Sequence, residues 1–395
     1  MKKHTKHTNI AKRHNGNFAP NEIALLGVKC DVIAELVHQF SKELSNYKLA
    51  YFDASHAKPL DSAQDDKNLS EFVFHQDRNL QVTTSSRVNK FEQRLQFAQY
   101  DFVFINGNHY SGSKQIVFLD PEKEASINKR IEEISEIVFF IKTTTNVEVF
   151  DSLKTKFPNW ESIPQYEINE VKKITNHIVN IVQETIPKIK GLVLVGGKST
   201  RMGKDKSELN YFGKPQKVVA KELLENNKLE TFYSVRTFGE VYLEHSRKTQ
   251  DDNKNAISSG VEKSKEIQDT FLNLGPFGGI CSAFQKDPNS AWLALATDVP
   301  FVNNELIQLL LEKRNPSKVA TAIKGKGKEF VEPLITIYEP KAYPILLQYL
   351  SQGYSCPRKM LINSDVEIVE VDDAFIRNVN TSEEFEIAKN EINNN

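Results

Sequence analysis

The apolar run Gly191-Leu-Val-Leu-Val195 ends on a glycine pair, Gly196 and Gly197, and the chain then brings Arg201, Lys204 and Lys206 in quick succession. A short run without polar interruption suits a central strand covered on both faces, which is the habit of parallel sheets. In open α/β sheets ligands lie beyond the carboxyl ends of the strands. Paired glycines at that edge let backbone N–H groups approach phosphate oxygens with no Cβ in the way. Arg201 and Lys206 add a fork donor and a point charge, able to share a triphosphate and to stabilise the charge on a leaving pyrophosphate. A glycine pair alone serves a strand-to-helix turn equally well, so the compound pattern carries the argument. It is neither the GxxxxGK[ST] of a Walker loop nor the GxGxxG of dinucleotide-binding folds.

Short apolar runs alternate with amphipathic stretches throughout, the rhythm of βαβ units. At 395 residues and roughly 150 residues per domain, two or three domains are expected. In the first half the runs at 23–27, 48–54, 99–107 and 136–142 read as strands, with a charged helix EKEASINKRIEEI between the last two. A helix carrying Ile174, Ile178, Ile181 and Val182 on one stripe closes this half before Pro187. The second half continues with strands at 191–195, 231–235, 291–297, 318–323, 331–338 and 366–371, a helix from about Pro215, and a polar stretch at 245–267. Two three-layer α/β domains with mainly parallel sheets follow, divided as 1–188 and 189–395.

Charge and cysteine use exclude several classes. The 51 Lys+Arg against 52 Asp+Glu leave a formal charge of -1, which lacks the cationic surplus of a dedicated nucleic-acid binder. That balance still conceals a local cluster of Arg201, Lys204 and Lys206 facing Asp269 and Asp298, as expected for a small anionic substrate. Three scattered cysteines, Cys30, Cys281 and Cys356, form neither a disulfide framework nor a metal knuckle, which favours a reducing compartment. No apolar run reaches the ~20 residues that span a bilayer, and the basic N-terminus has no secretory apolar core. A cytoplasmic protein with no membrane partner is the expectation.

The loop VLVGGKSTRMGKDK, with DTFLNLGPFGGI at 269–280, LATDVPFV at 295–302 and NVNT at 378–381, resembles the nucleotidyltransferases with a LAGG-x-S-x-RMG-x-DK signature. Within them it is most similar to the molybdenum cofactor guanylyltransferases of the MobA type, over about residues 189–389. The resemblance implies a Rossmann-like, GT-A-like fold for this half. It also implies transfer of GMP from GTP to molybdopterin or Mo-molybdopterin, releasing pyrophosphate. By the same resemblance Leu194, Val195 and Gly196 read the guanine partly through backbone groups, and Ser234 and Asp269 lie beside the nucleotide. Gly275, Gly278 and Gly279 let the loop pass close to it, and Arg358, Asn378 and Asn380 face the pterin. Apo-molybdoenzymes or their chaperones are further partners it implies. Val195 stands where the family usually has alanine.

The residues support this chemistry independently. Asp298 closes a near-continuous apolar strand, so its carboxylate emerges at the edge that holds the glycine loop, where a hard cation such as Mg²⁺ can bridge it to phosphate oxygens. The competing reading makes Asp298 the cap of the next helix. An anionic phosphate nucleophile needs no Ser–His or Cys–His pair, so positioning and the charges of Lys206, Arg201 and Mg²⁺ supply the catalysis. Cytidylyl transfer, a sugar-phosphate acceptor, or non-catalytic delivery of finished cofactor are the rival functions, and Arg358 also reads as a solvated loop residue. The glycine pair and the DK after RMG favour GTP within the resemblance.

The first half resembles the GTP-binding adapter of the same pathway only in outline. Its phosphate-loop position reads LLGVKCDVIAEL, with Gly27 and Lys29 but no GK[ST], and Asn106 stands where the adapter has an acidic residue. A loop without that lysine and hydroxyl lacks the groups that hold terminal phosphates and Mg²⁺. A degenerate P-loop-like domain that does not hydrolyse GTP is expected, preceded by a solvated basic arm containing His4, His7 and His14.

Overall fold

The computed structural model describes residues 10–55, 71–74, 80–83, 89–195, 206–236 and 265–394. They form two compact units: His14–Thr185, and Ile186–Asn395 together with residues 10–13. The described end of the basic arm therefore groups with the second half of the chain, where Asn289 Nδ2 donates to the Lys12 carbonyl at 3.0 Å. Gly196, Gly197 and Arg201, and the 245–264 part of the polar stretch, lie outside the described residues.

The N-terminal unit is built on a parallel sheet of β1 (Glu22–Leu26), β2 (Leu49–Phe52), β5 (Phe102–Asn106), β6 (Gln115–Leu119), β7 (Ile137–Lys142) and β8 (Gln165–Glu167), in the order β2-β5-β1-β6-β7-β8. A separate hairpin pairs β3 (Glu71–Phe74) with β4 (Leu80–Thr83). β1, β5 and β6 are buried along their whole length. Alternate residues enter opposite layers: Ile23 and Leu25 pack with Ile33, Phe40, Ile174 and Ile178 of the helices Cys30–Glu43 and Val171–Glu184, whereas Leu26, Val117 and Leu119 pack against Ile127 and Leu153 on the other face. β6 is an addition to the expected strands. The charged helix expected between 122 and 134 shortens to Glu124–Lys129 between two 3-10 turns.

The turn after β1 has only Gly27, Val28 and Lys29 before the helix starts at Cys30. Gly27 has φ 96°, a left-handed conformation that suits glycine. The Gly27 N–H donates to Asn108 Oδ1 at 3.2 Å, and Asn108 Nδ2 donates to the Val28 carbonyl at 2.7 Å. The turn's own backbone groups are thus taken by a neighbouring side chain.

The C-terminal unit carries a seven-stranded sheet of β9 (Ile189–Leu194), β10 (Glu230–Val235), β11 (Glu266–Gln268), β12 (Ala291–Ala296), β13 (Ala320–Gly325), β14 (Glu332–Tyr338) and β15 (Val366–Val371). Its order is β11-β10-β9-β12-β14-β13-β15, and only β14 runs against its neighbours. On one face Val193, Leu293, Leu295 and Ile335 pack with the helices Gln216–Asn226 and Asn304–Glu312. On the other, Leu192, Trp292 and Ala294 pack with Pro276–Lys286, Ala342–Ser351 and Pro357–Ile362. Each unit is a three-layer α/β structure with mainly parallel strands.

One buried ion pair clamps the far edge of this unit. Arg314 Nε and Nη2 donate to Glu339 at 2.7 and 2.8 Å, and Nη2 also donates to the Pro187 carbonyl at 2.8 Å. Glu339 is fully buried, so removing Arg314 takes a bidentate cation from a carboxylate held away from water. Arg314→Met is expected to destabilise the protein by about 3–5 kcal/mol, read as a lower urea midpoint of unfolding.

Candidate functional site

Three parallel strands end together at one edge of the C-terminal sheet. Leu194 of β9 lies between Ser234 of β10 and Ala296 of β12 in register, and Asp298 follows Ala296 past the strand end. All six residues of β12 are buried, so Thr297 and Asp298 are the first polar side chains the strand can present. The helix-cap reading of Asp298 fails locally, because Asn303 caps the helix Asn304–Glu312 by accepting from Leu306 N at 3.0 Å. The Asp298 carbonyl instead accepts from Val379 N at 2.8 Å. That bond draws the NVNT segment to the same edge.

Lys206, on a 3-10 turn at Lys206–Glu208, joins the cluster. Its Nζ donates to Asn380 Oδ1 at 2.6 Å and lies 3.6 Å from Asp298 Oδ2. Lys206 and Asp298 are each about a quarter exposed, so the pair meets solvent and any ligand at the sheet edge. Asn380 is itself fixed: its N–H and that of Thr381 donate to Glu384 Oε2 at 2.6 and 3.2 Å, and Thr381 Oγ1 accepts from Glu384 N. This is the reciprocal capping box of the helix Ser382–Asn394.

A second group lies at the neighbouring strand end. Ser234 Oγ donates to Asp269 Oδ1 at 2.7 Å, and Asp269 N donates to the Val235 carbonyl at 2.7 Å. Gly275, at φ 57°, precedes the helix Pro276–Lys286. Gly279, on its first turns, faces Ser234 Oγ and Leu194 Cδ2, and a methyl group there would overlap the serine oxygen. Val195 N donates to the Ser234 carbonyl at 3.3 Å, and the Val195 side chain is buried in the core rather than at the edge. Asn378 is exposed.

Several residues at this edge had no sequence signal. The β12–β14 ladder pairs Trp292 with Tyr338 and Leu295 with Ile335, so β14 starts, at Glu332, towards the end of the sheet where β12 stops. Burial pushes the Glu332 carboxyl above its usual range, opposed by Arg358 and Lys328 and reinforced by the charge of Asp298. Arg358 Nη2 donates to Glu332 Oε2 at 3.4 Å. Tyr211 is buried with its hydroxyl lacking a partner among the described residues. Burial, followed by the charges of Asp298 and Glu384, raises its phenol above the usual range.

The oxygen donors Asp298 and Asn380 around Lys206 suit a hard cation that takes one or two protein ligands and fills its shell with phosphate and water. Among the described residues no group of three or more His, Cys, Asp or Glu could hold a metal alone. No helix among them is long and apolar enough to cross a membrane.

Comparison with known proteins bears on this half of the chain: the family model described as "MobA-like NTP transferase domain" matches residues 191–367. That stretch, somewhat less than half of the chain, is thus similar to this family. A molybdenum cofactor biosynthesis bifunctional protein of Synechocystis sp. is 30% identical over 196 residues, covering 49% of this chain and 52% of its own length. The match thus spans about half of each. A probable molybdenum cofactor guanylyltransferase of Flavobacterium johnsoniae is 24% identical over 198 residues, 49% of this chain and 92% of the relative. The crystal structure of molybdopterin-guanine dinucleotide biosynthesis protein A from Archaeoglobus fulgidus superposes with a TM-score of 0.41 at 23% identity, over 52% of this chain and 100% of that one.

Within the C-terminal unit the close packing of Gly279 gives a test of sign. In an exposed helix interior Gly→Ala stabilises by up to ~1 kcal/mol. Here the methyl meets Ser234 Oγ, so Gly279→Ala is expected to destabilise by about 1–3 kcal/mol. Adding Ser234→Ala should restore part of the loss in the same thermal or urea measurement.

Proposed function

We propose that the C-terminal unit transfers GMP from GTP to the terminal phosphate of molybdopterin. The observation that supports this most directly is Lys206 held between Asp298 and Asn380 at the edge where the glycine loop begins. An acceptor phosphate oxygen attacks the α-phosphorus in line, the bond to the bridging oxygen of the β-phosphate breaks, and pyrophosphate leaves. The nucleophile is already anionic, so no side chain need remove a proton. Lys206 and Arg201 offset the negative charge on the leaving group, while Ser234 and Asp269 line the nucleotide side and Asn380 the acceptor side. Asp298 would hold Mg²⁺, which when bound neutralises phosphate charge.

Lys206→Ala and Asp298→Ala are each expected to lower the rate of dinucleotide formation by roughly 10²–10³-fold, the size typical of losing one preorganised charge-stabilising group. Pyrophosphate release measured with GTP against CTP tests the nucleotide. Wild-type turnover by either variant would refute the site, and preference for CTP would replace guanylyl by cytidylyl transfer.

The N-terminal unit reads as a P-loop-like domain without nucleotide hydrolysis, serving docking or architecture. Its three-residue turn is too short to cradle phosphates, and Asn108 already occupies the Gly27 N–H. Full-length protein given GTP and Mg²⁺ without acceptor should release no orthophosphate. Saturable orthophosphate release would overturn the reading.

A further inference from the structure

Arg358 stands apart from the Lys206 cluster and is reached through a different residue. It sits in the first turn of the helix Pro357–Ile362, and its side chain is 44% exposed. Its guanidinium nevertheless has a buried Nε that meets no partner among the described residues. Its Nη2 makes one long contact, 3.4 Å to Glu332 Oε2. A guanidinium fork is shaped for two acceptor atoms of one anion, and a buried N–H left unmade is costly. The fork therefore has a donor left over for a ligand.

Glu332 decides where that fork points. It begins β14, at the end of the sheet where its antiparallel neighbour β12 stops, and only 17% of its side chain is exposed. A carboxylate here faces repulsion from Asp298 and attraction from Arg358 and Lys328. The cations hold it, and it in turn tethers an arginine that otherwise has many rotamers on a half-exposed short helix. The tether brings the guanidinium from its helix to the strand end beside Asp298.

We propose that Glu332 is a positioning residue for the acceptor: it orients Arg358 so that the open side of its fork receives the acceptor's anionic phosphate beside Asp298. This rests on the transfer reading for the identity of the acceptor. The anion meets the cations Arg358, Lys328 and, beside Asp298, Lys206, against the two carboxylates Glu332 and Asp298, so the attraction of the oriented fork outweighs the repulsion from Glu332 and the sign of the effect is set.

The test uses purified full-length protein with saturating GTP and varied molybdopterin. Glu332→Gln should raise the acceptor KM by about tenfold, the order of one charge-assisted contact, with kcat and the GTP KM within about twofold. Arg358→Gln should raise the acceptor KM at least as much. The double variant should be no worse than Arg358→Gln alone, because a residue acting through another adds nothing once that one is gone. An acceptor KM for Glu332→Gln that is unchanged or lower, an equal fall in kcat, or an additive double variant overturns the proposal. Molybdopterin binding is also read at equilibrium by quenching of pterin fluorescence. If the wild type binds the pterin without making dinucleotide, the transfer reading fails, and the same about tenfold shift in Kd for Glu332→Gln decides the positioning role. If the wild type binds no pterin, both fail.

Discussion

The complete burial of β12 is the constraint on which the candidate site depends. A strand covered on both faces has no place for an unpaired carboxylate along its length, since burying such a charge costs several kcal/mol even after relaxation. The first affordable position is past the last buried residue, and Asp298 occupies it. Parallel pairing then places the ends of β9 and β10 alongside, so Leu194, Ser234 and Asp298 share one edge through register alone. The reversed strand β14 adds what a parallel neighbour could not. It begins where β12 ends, which brings Glu332 and Asp298 to the same end of the sheet.

Electrostatically that edge is prepared for an anion without being left bare. Lys206 is neutralised by Asp298 and hydrogen-bonded by Asn380, which spares a partly buried ammonium from standing unpaired. The same contacts hold it in place, so a phosphate arriving with its own cation can exchange partners with a positioned lysine and avoid ordering a free one. The capping box around Glu384 extends the support by one further layer, because it fixes the backbone from which Asn380 reaches inward.

Much of this was legible from sequence because the informative residues are local. β12 and its terminal aspartate, the strand Ile189–Leu194 before the glycines, and the helix Val171–Glu184 with Ile174, Ile178 and Val182 inward follow from apolar runs and 3.6-residue spacing. β6 did not, since a five-residue apolar run carries no period that distinguishes strand from helix. Glu332 and Tyr211 were illegible for another reason. Their meaning comes from strand register and from a packing partner, Phe385, distant in sequence, and neither leaves a mark on nearby residues. Strand alternation turns the Val195 side chain into the core beside Val193, which leaves its backbone alone to meet the edge.

The two sheets differ in the side chains gathered at the end of their first strands. In the N-terminal unit the strand order places β1 between β5 and β6, the kind of switch point where α/β folds open a crevice. There the turn is short, its amide bonds to Asn108, and the Asn108 amide in turn satisfies the Val28 carbonyl. Cys30 at the helix start lies 3.3 Å from His109 Nε2. A backbone donor satisfied internally, as the Gly27 N–H is, gains little from an incoming anion, because the new hydrogen bond must first break an existing one. In the C-terminal unit the amides at the end of β9 beyond Val195 belong to a glycine-rich segment with cations spaced through it. In both halves the deciding side chains are distant in sequence, Asn108 at the turn after β1 and Asp298 with Asn380 around Lys206, and the α/β rhythm the two halves share specifies neither.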